Sequence, residues 1–175
     1  MTRTGLVSLL TLSVPFAFGG PSGATPHHRT LQAVAVSPTS AEIDAQVWAA
    51  VAASVVNADI VAMGRTYHPA AVLVTNGGTK PIAAALEGWG KDMVVARKDG
   101  VRARVELRFD KRQDDATTAF EAGAFKYTTT DRAGKSTSSY TRLEALLVKT
   151  NGRWQTVMER QLNPITEDTW NQLPH

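Results

Sequence analysis

The sequence predicts an α+β fold with an antiparallel sheet. Three observations carry this. Apolar residues recur at helical spacing early in the chain, at Ile43, Val47, Val51 and Val55 and again at Ile82, Leu86, Trp89 and Met93. From Val101 they alternate with polar residues instead, as Val101, Ala103, Val105, Leu107 and Phe109 do with Arg102, Arg104, Glu106, Arg108 and Asp110. Asn151-Gly152 then marks a tight hairpin between two further strand-like stretches. Helices first and hairpin-linked strands after is the order of an α+β domain.

The elements follow in order. Thr39-Ser40-Ala41-Glu42 fits a capping box that opens the first helix, with Trp48 beside its apolar stripe. Asn57 is expected to cap a second, short helix carrying Ile60, Met63 and Tyr67 on one side. Pro69 is expected to end it, because a residue before proline disfavours the helical region. Residues 71–75 read as a short strand and Asn76-Gly77-Gly78 as a turn. Pro81 suits the first turn of a third helix, which Asp99-Gly100 stops. Gly88 and Gly90 each weaken that helix by about 1 kcal/mol relative to alanine. Four strands are expected at 101–110, 117–129, 137–149 and 153–161, with a turn at Asp131-Arg132-Ala133-Gly134-Lys135. The tail, 162–175, holds Pro164, Trp170 and Pro174 and is expected to be loose or docked on the surface.

Composition narrows the function classes. A chain of 175 residues suits one domain. Its 19 basic and 16 acidic side chains leave a net charge of +3, a near-balance that speaks against a nucleic-acid footprint. It contains no cysteine, which excludes disulfides, thiolate metal sites and cysteine nucleophiles. His68 is the one histidine within 39–161, so no metal site and no cofactor is expected. Gly77-Gly78-Thr79-Lys80-Pro81 lacks the spacing of a phosphate loop and reads as a turn.

Residues 1–24 have the layout of a secretory signal peptide: Arg3, an uncharged apolar stretch from Gly5 to Phe18, and small residues at Ser22-Gly23-Ala24. The stretch is too short to span a bilayer. Cleavage after Ala24 leaves 175 − 24 = 151 residues. The expected organisation is a signal peptide (1–24), a flexible lead-in (25–38), a folded domain (39–161) and the tail. The mature product is expected to be exported, periplasmic or secreted, and to have no membrane partner.

The element order resembles a known family. Two helices lead into Tyr67-His68-Pro69-Ala70-Ala71-Val72-Leu73-Val74, and four long strands end in Asn151-Gly152-Arg153-Trp154-Gln155-Thr156-Val157. Over about residues 41–161 this resembles the nuclear transport factor 2-like superfamily, in its SnoaL-like branch. Tyr140-Thr141-Arg142-Leu143 also resembles the association domain of calcium/calmodulin-dependent protein kinase, which has that fold. The resemblance implies a cone: a curved antiparallel sheet wrapped against N-terminal helices, with a ligand pocket at its opening and a homodimer through the outer sheet face. It also covers the ketosteroid isomerases, whose general base, oxyanion tyrosine and strand acid fall here on Thr75, Val51 and about Glu144. A threonine hydroxyl cannot remove a carbon-bound proton near neutral pH, so that specific chemistry is not expected.

The polar residues left over lie on the late strands. Tyr140, Arg142 and Glu144 alternate, so they share a face. Glu121, Phe125 and Tyr127 share a face of the preceding strand, and Arg160 that of Trp154, Thr156 and Met158. If these faces line the cone, Arg142 can clamp a carboxylate or enolate and a desolvated Glu144 can act as acid or base. The ligand walls are then Trp48, Tyr67, Glu121, Phe125, Tyr127, Tyr140, Met158 and Arg160. In the competing arrangement Arg142 pairs with Glu144 or Glu121 on the outer face, and Leu143, Ala145 and Leu147 are buried. His68 is a base near the rim or a helix-end residue. The expected function is binding of a small organic ligand without an assured activity. The alternatives are an isomerase, cyclase or dehydratase using Glu144 and Arg142, or a dimeric interaction module whose pocket is plugged.

Overall fold

The structure is a computed structural model and describes residues 37–174. The expected signal peptide and nearly all of the lead-in lie outside the described residues. Helices α1 (Pro38–Ile43) and α2 (Ala49–Asn57) are joined without a break by a π-helical turn, Asp44–Trp48. Helix α3 (Ile60–Gly64) follows, then strands β1 (Tyr67–Thr75) and β2 (Gly78–Pro81), and helix α4 (Ile82–Lys98). Four long strands come next: β3 (Arg102–Asp114), β4 (Thr118–Thr130), β5 (Ser136–Thr150) and β6 (Arg153–Pro164). Helix α5 (Glu167–Asn171) closes the fold.

The π turn answers an oddity of the sequence. Ile43, Val47, Val51 and Val55 are spaced by four, and on an ideal α-helix such a row drifts by about 40° per step. The wider turn at Asp44–Trp48 takes up part of that drift and buries Ile43, Val47 and Trp48 together. Helix α1 starts two residues before the expected capping box. Ser37 is the N-cap, its hydroxyl accepting the Ser40 N–H at 2.9 Å, and Pro38 takes the first helical position.

Three further expectations are corrected. Asn57 ends α2 rather than capping α3, whose N-cap is Asp59. Tyr67 and Pro69 lie in β1, not on a helix, and α3 ends at Gly64. Gly78–Pro81, read as turn and helix start, pairs with β1 as an antiparallel edge strand. Pro81 suits that place because an edge position does not require its missing N–H.

The sheet is six-stranded, in the order β2-β1-β6-β5-β4-β3. It is antiparallel except for the β1–β6 pair, which is parallel. The Asn151-Gly152 hairpin is as expected, with both residues at positive φ, 53° and 77°. At Gly123 a Cβ would meet the Arg108 carbonyl oxygen at 1.9 Å, so only glycine lets β4 approach β3 there. The sheet curves without closing and holds the N-terminal helices and α4 on its concave face. One core cluster sets Ile43, Val47 and Trp48 against Leu143, Leu147 and Trp154. Another gathers Val55, Met63, Tyr67, Leu73 and Ile82. Each such large apolar side chain contributes about 1.5–3 kcal/mol by leaving water.

The tail is docked. Trp170 of α5 is 2 % exposed and packs with Leu173 on Ala124, Tyr140 and Ile165, on the convex face of the sheet.

Candidate functional site

A cavity of about 640 Å³ lies between the helices and the concave face. It is open, not plugged by side chains. Trp48, Val51 and Val55 from the N-terminal helices, Met63 of α3, and Trp89 and Met93 of α4 form one side. Val105, Leu107, Phe125, Tyr127 and Leu143 of the sheet form the other. The mouth carries exposed Val56, Asn57, Asp92, Arg97 and Arg102.

The inner wall is polar at one place. Glu159 of β6 and Tyr67 of β1 are each 6 % exposed and both line the cavity. Tyr67 Oη donates to Glu159 Oε2 at 2.5 Å, and Gln161 Nε2 donates to Glu159 Oε1 at 2.7 Å. Burial raises the Glu159 pKa, against the lowering effect of those two donors. Burial, with the nearby Glu159, holds the Tyr67 phenol well above its ordinary value. Higher up, burial and the charge of Asp92 raise the Tyr127 pKa. Each Glu159 oxygen keeps a free lone-pair direction, so the group can accept from a ligand when ionised and donate to one when protonated.

Glu159 was not among the residues expected from the sequence. The cause is a β-bulge. Leu146 pairs with Met158, but Leu147 pairs with Thr156, leaving Val157 as an extra residue on β6. One inserted residue reverses the alternation. Trp154 and Thr156 are buried on the concave side, and beyond the bulge Glu159 and Gln161 take that side. Met158 and Arg160, expected as ligand walls, therefore face outward, where Arg160 pairs with Glu144 at 3.2 Å.

The expected catalytic pair is placed on the same outer face. Leu143, Ala145 and Leu147 are the buried side of β5, so Arg142, Glu144 and Tyr140 project from the convex face, away from the cavity. Arg142 makes a fork to Asp110, with Nη1–Oδ2 at 2.9 Å and Nη2–Oδ1 at 3.2 Å. Tyr140 packs against Trp170, ring centroids 5.9 Å apart. This matches the competing arrangement of the sequence reading in its choice of face, with Asp110 in place of a glutamate as the partner of Arg142.

Glu121 is on the inner side but does not line the cavity. Its carboxylate lies behind Trp48, accepting from Trp48 Nε1 at 2.5 Å and Arg112 Nε at 2.7 Å. Arg112 in turn forks onto Asp44, with Nη2–Oδ1 at 2.6 Å and Nη1–Oδ2 at 2.9 Å. Burial raises the Glu121 pKa while Arg112 and Trp48 oppose the shift. Its role is to anchor the π turn to the sheet and hold the Trp48 ring as a cavity wall. Of the other expected walls, Trp48, Tyr67, Phe125 and Tyr127 do border the cavity.

The positions tested against ketosteroid isomerase are also placed. Val51 lines the cavity as an apolar wall, and Thr75 lies at the β1–β2 turn, its Oγ1 accepting the Gly77 N–H at 3.2 Å. His68 lies within β1 and spends Nδ1 on the Ala70 N–H at 3.1 Å. It neither ends a helix nor borders the cavity.

No family model matches the chain, and no curated protein matches it. Solved structures do. The chain is similar to Aln2 from a Streptomyces species, at 16 % identity and a TM-score of 0.61 over 71 % of this chain and 91 % of that one. It is similar to a nuclear transport factor 2-like superfamily protein from Salmonella enterica, at 15 % identity and a TM-score of 0.56 over 75 % and 96 %. A third is a protein of the same type and unknown function from Shewanella oneidensis, at 14 % identity and a TM-score of 0.54 over 68 % and 95 %. The fold is that of the nuclear transport factor 2-like proteins.

Proposed function

We propose that this chain is an exported domain that binds a small, mainly apolar organic molecule in its cavity, with a polar group of the ligand held at Glu159. The observation that carries the reading is the single buried carboxyl group on an otherwise apolar inner wall, fixed in place by Tyr67 and Gln161. A buried carboxyl that borders a void and is held in one orientation by two donors, with acceptor capacity left over, is a preorganised contact for a ligand. The test is a thermal-shift screen of small amphipathic organic compounds. A cavity ligand raises the melting temperature by mass action. That rise is lost in Ala103→Phe, which fills the cavity, and reduced in Glu159→Gln. Hits that stabilise Ala103→Phe equally bind elsewhere and sink the reading. The export component predicts a mature product beginning at Thr25, checked by intact mass of the exported protein; retention of residues 1–24 overturns that component.

One observation favours a second reading, an acid–base enzyme of the isomerase, cyclase or dehydratase kind. Burial pushes the Glu159 pKa upward, toward the range in which a carboxyl can both take and return a proton. Glu159, not Glu144 with Arg142, carries this version. Its measurement is deuterium uptake from heavy water at a carbon next to a carbonyl in a ligand from the screen. Uptake that persists in Glu159→Gln removes the enzymatic reading and leaves the binding one.

A further inference from the structure

We infer that the ligand is an apolar amine, its nitrogen held as a cation against Glu159 and among the aromatic walls of the cavity. The inference rests on the cavity-binding reading and adds the charge class of the ligand.

The acids face inward and most of the bases do not. Glu159 is the acid of the inner wall. Asp92 of α4 borders the cavity nearer the mouth, within Coulombic reach of the Tyr127 phenol. Strand register sorts the arginines of β3. Ala103, Val105 and Leu107 border the cavity, and Arg102 and Arg104 alternate with them without a shift, so both project from the convex face. Arg97, in the last turn of α4, is the remaining base of the lining, about 7.5 Å beyond Asp92 along the helix axis. Among the described residues no lysine or histidine borders the cavity.

The inner contact point offers acceptors. Tyr67 spends its single O–H on Glu159 Oε2, and Gln161 spends an N–H on Oε1. Trp48 spends its N–H on Glu121, behind the wall. Acceptor capacity is left on Glu159. A donor group on the ligand satisfies it, and a charged donor does so more strongly than a neutral one. The pairing does not depend on the starting protonation state. A neutral amine meeting the protonated carboxyl takes its proton, the O–H bond breaking as the N–H bond forms. An ammonium meeting the carboxylate brings its own proton. Both routes end in the same ammonium–carboxylate pair, and the nearby cation offsets the cost of burying the carboxylate. Around this point stand Trp48, Tyr67, Trp89, Phe125 and Tyr127. Five rings bounding about 640 Å³ offer π faces to a bound cation, an attraction that strengthens where water is excluded.

The experiment compares three probes that share one ring system: 1-naphthylmethylamine, 1-naphthalenemethanol and 1-naphthoic acid. Their affinities for the folded protein are measured by calorimetry at neutral pH. The amine is expected to bind about tenfold more tightly than the alcohol, the scale of one charge-assisted contact, and the acid to bind most weakly. Glu159→Gln is expected to bring the amine-to-alcohol ratio to within about twofold of one. Asp92→Asn, a change at an exposed position, is expected to lower the ratio by about twofold with the melting temperature unchanged. Should Glu159→Gln fail to fold, Asp92→Asn carries the test, and an unchanged ratio there overturns the inference. If the alcohol or the acid binds the wild type as tightly as the amine, the inference is overturned and the cavity reading stands. An amine preference that survives in folded Glu159→Gln overturns it too. Amine binding that survives in Ala103→Phe lies outside the cavity and has the same consequence. If none of the three probes binds, both readings fall.

Discussion

Tyr67 Oη donates to Glu159 Oε2 at 2.5 Å, linking the two strands that form the one parallel pair of the sheet. The residues are 92 positions apart in the chain. The bond does two things at once. It gives a buried phenol its partner, and it holds a carboxyl group at the cavity wall in one orientation.

The first prediction concerns pH. Glu159 has its folded-state pKa raised above the ordinary 4.5, chiefly by burial. The unfolded chain releases the proton near 4.5 while the native state keeps it to higher pH, so the unfolded state binds fewer protons in between. The stability linked to this group is present below about 4.5 and is lost as pH rises through the folded pKa. Wild type should therefore lose stability relative to Glu159→Gln across that window. Urea unfolding of both proteins at successive pH values measures it, and a difference that does not change with pH defeats the idea.

Removing the phenol hydroxyl is the second test. Tyr67→Phe leaves Glu159 Oε2 without its donor, at a cost of about 1–3 kcal/mol for a buried group left unpaired. Tyr67 also lowers the Glu159 pKa, so its loss should push the pH window of the first prediction further up. Paired with Glu159→Gln, the two losses should add to less than their sum, because they share one contact. A full sum in denaturation experiments would mean that the hydrogen bond contributes nothing.

Much of the fold was legible in the sequence because its signals are local. The period-two runs from Val101 and the Asn151-Gly152 turn need no knowledge of the rest of the chain. The walls Trp48, Phe125 and Tyr127 came from the same kind of pattern. The inner acid did not, because the bulge at Val157 is set by how β6 fits two neighbours at once. Strict alternation carried past that point assigns Met158 and Arg160 inward and Glu159 outward, each on the wrong side. The face of β5 was open in the sequence for a related reason: polar and apolar residues alternate there, and Arg142 and Glu144 could be paired on either side. A signal for Glu159 did exist. Glu159 and Gln161 share a parity that differs from Trp154 and Thr156, and only an inserted residue lets both pairs face inward.

A third prediction addresses the buried ion pair behind the cavity wall. Arg112→Met strands the Glu121 carboxylate, 1 % exposed, without its cation. Breaking one side of such a pair costs about 3–5 kcal/mol. The double variant with Glu121→Gln should recover part of that, since the amide still accepts from Trp48 Nε1 and carries no charge. Equal stability of the single and double variants would show that burial of the Glu121 charge is not what makes Arg112 necessary.

The fourth prediction separates the two faces of the sheet. Helix α5 is only five residues long, too short to hold itself together, so it depends on what Trp170 packs against. That is the convex face: Ala124 and Tyr140 beneath the ring, with the Arg108 guanidinium 4.5 Å from its centroid and Arg108 Nη1 donating to the Trp170 carbonyl at 3.0 Å. Trp170→Ala should cost about 3–5 kcal/mol, the range for a large buried aromatic. It should also free the segment beyond Pro164, seen as rapid cleavage there in limited proteolysis while 37–164 persists. The cavity opens on the other face, and none of its walls touches Trp170. At a temperature where the variant remains folded, its affinity for a cavity ligand from the thermal-shift screen should therefore stay within about twofold of wild type, a difference of under half a kcal/mol. A loss of affinity as large as the loss of stability would mean that the sheet transmits the docking of α5 to the cavity, and the two faces could not be treated as independent.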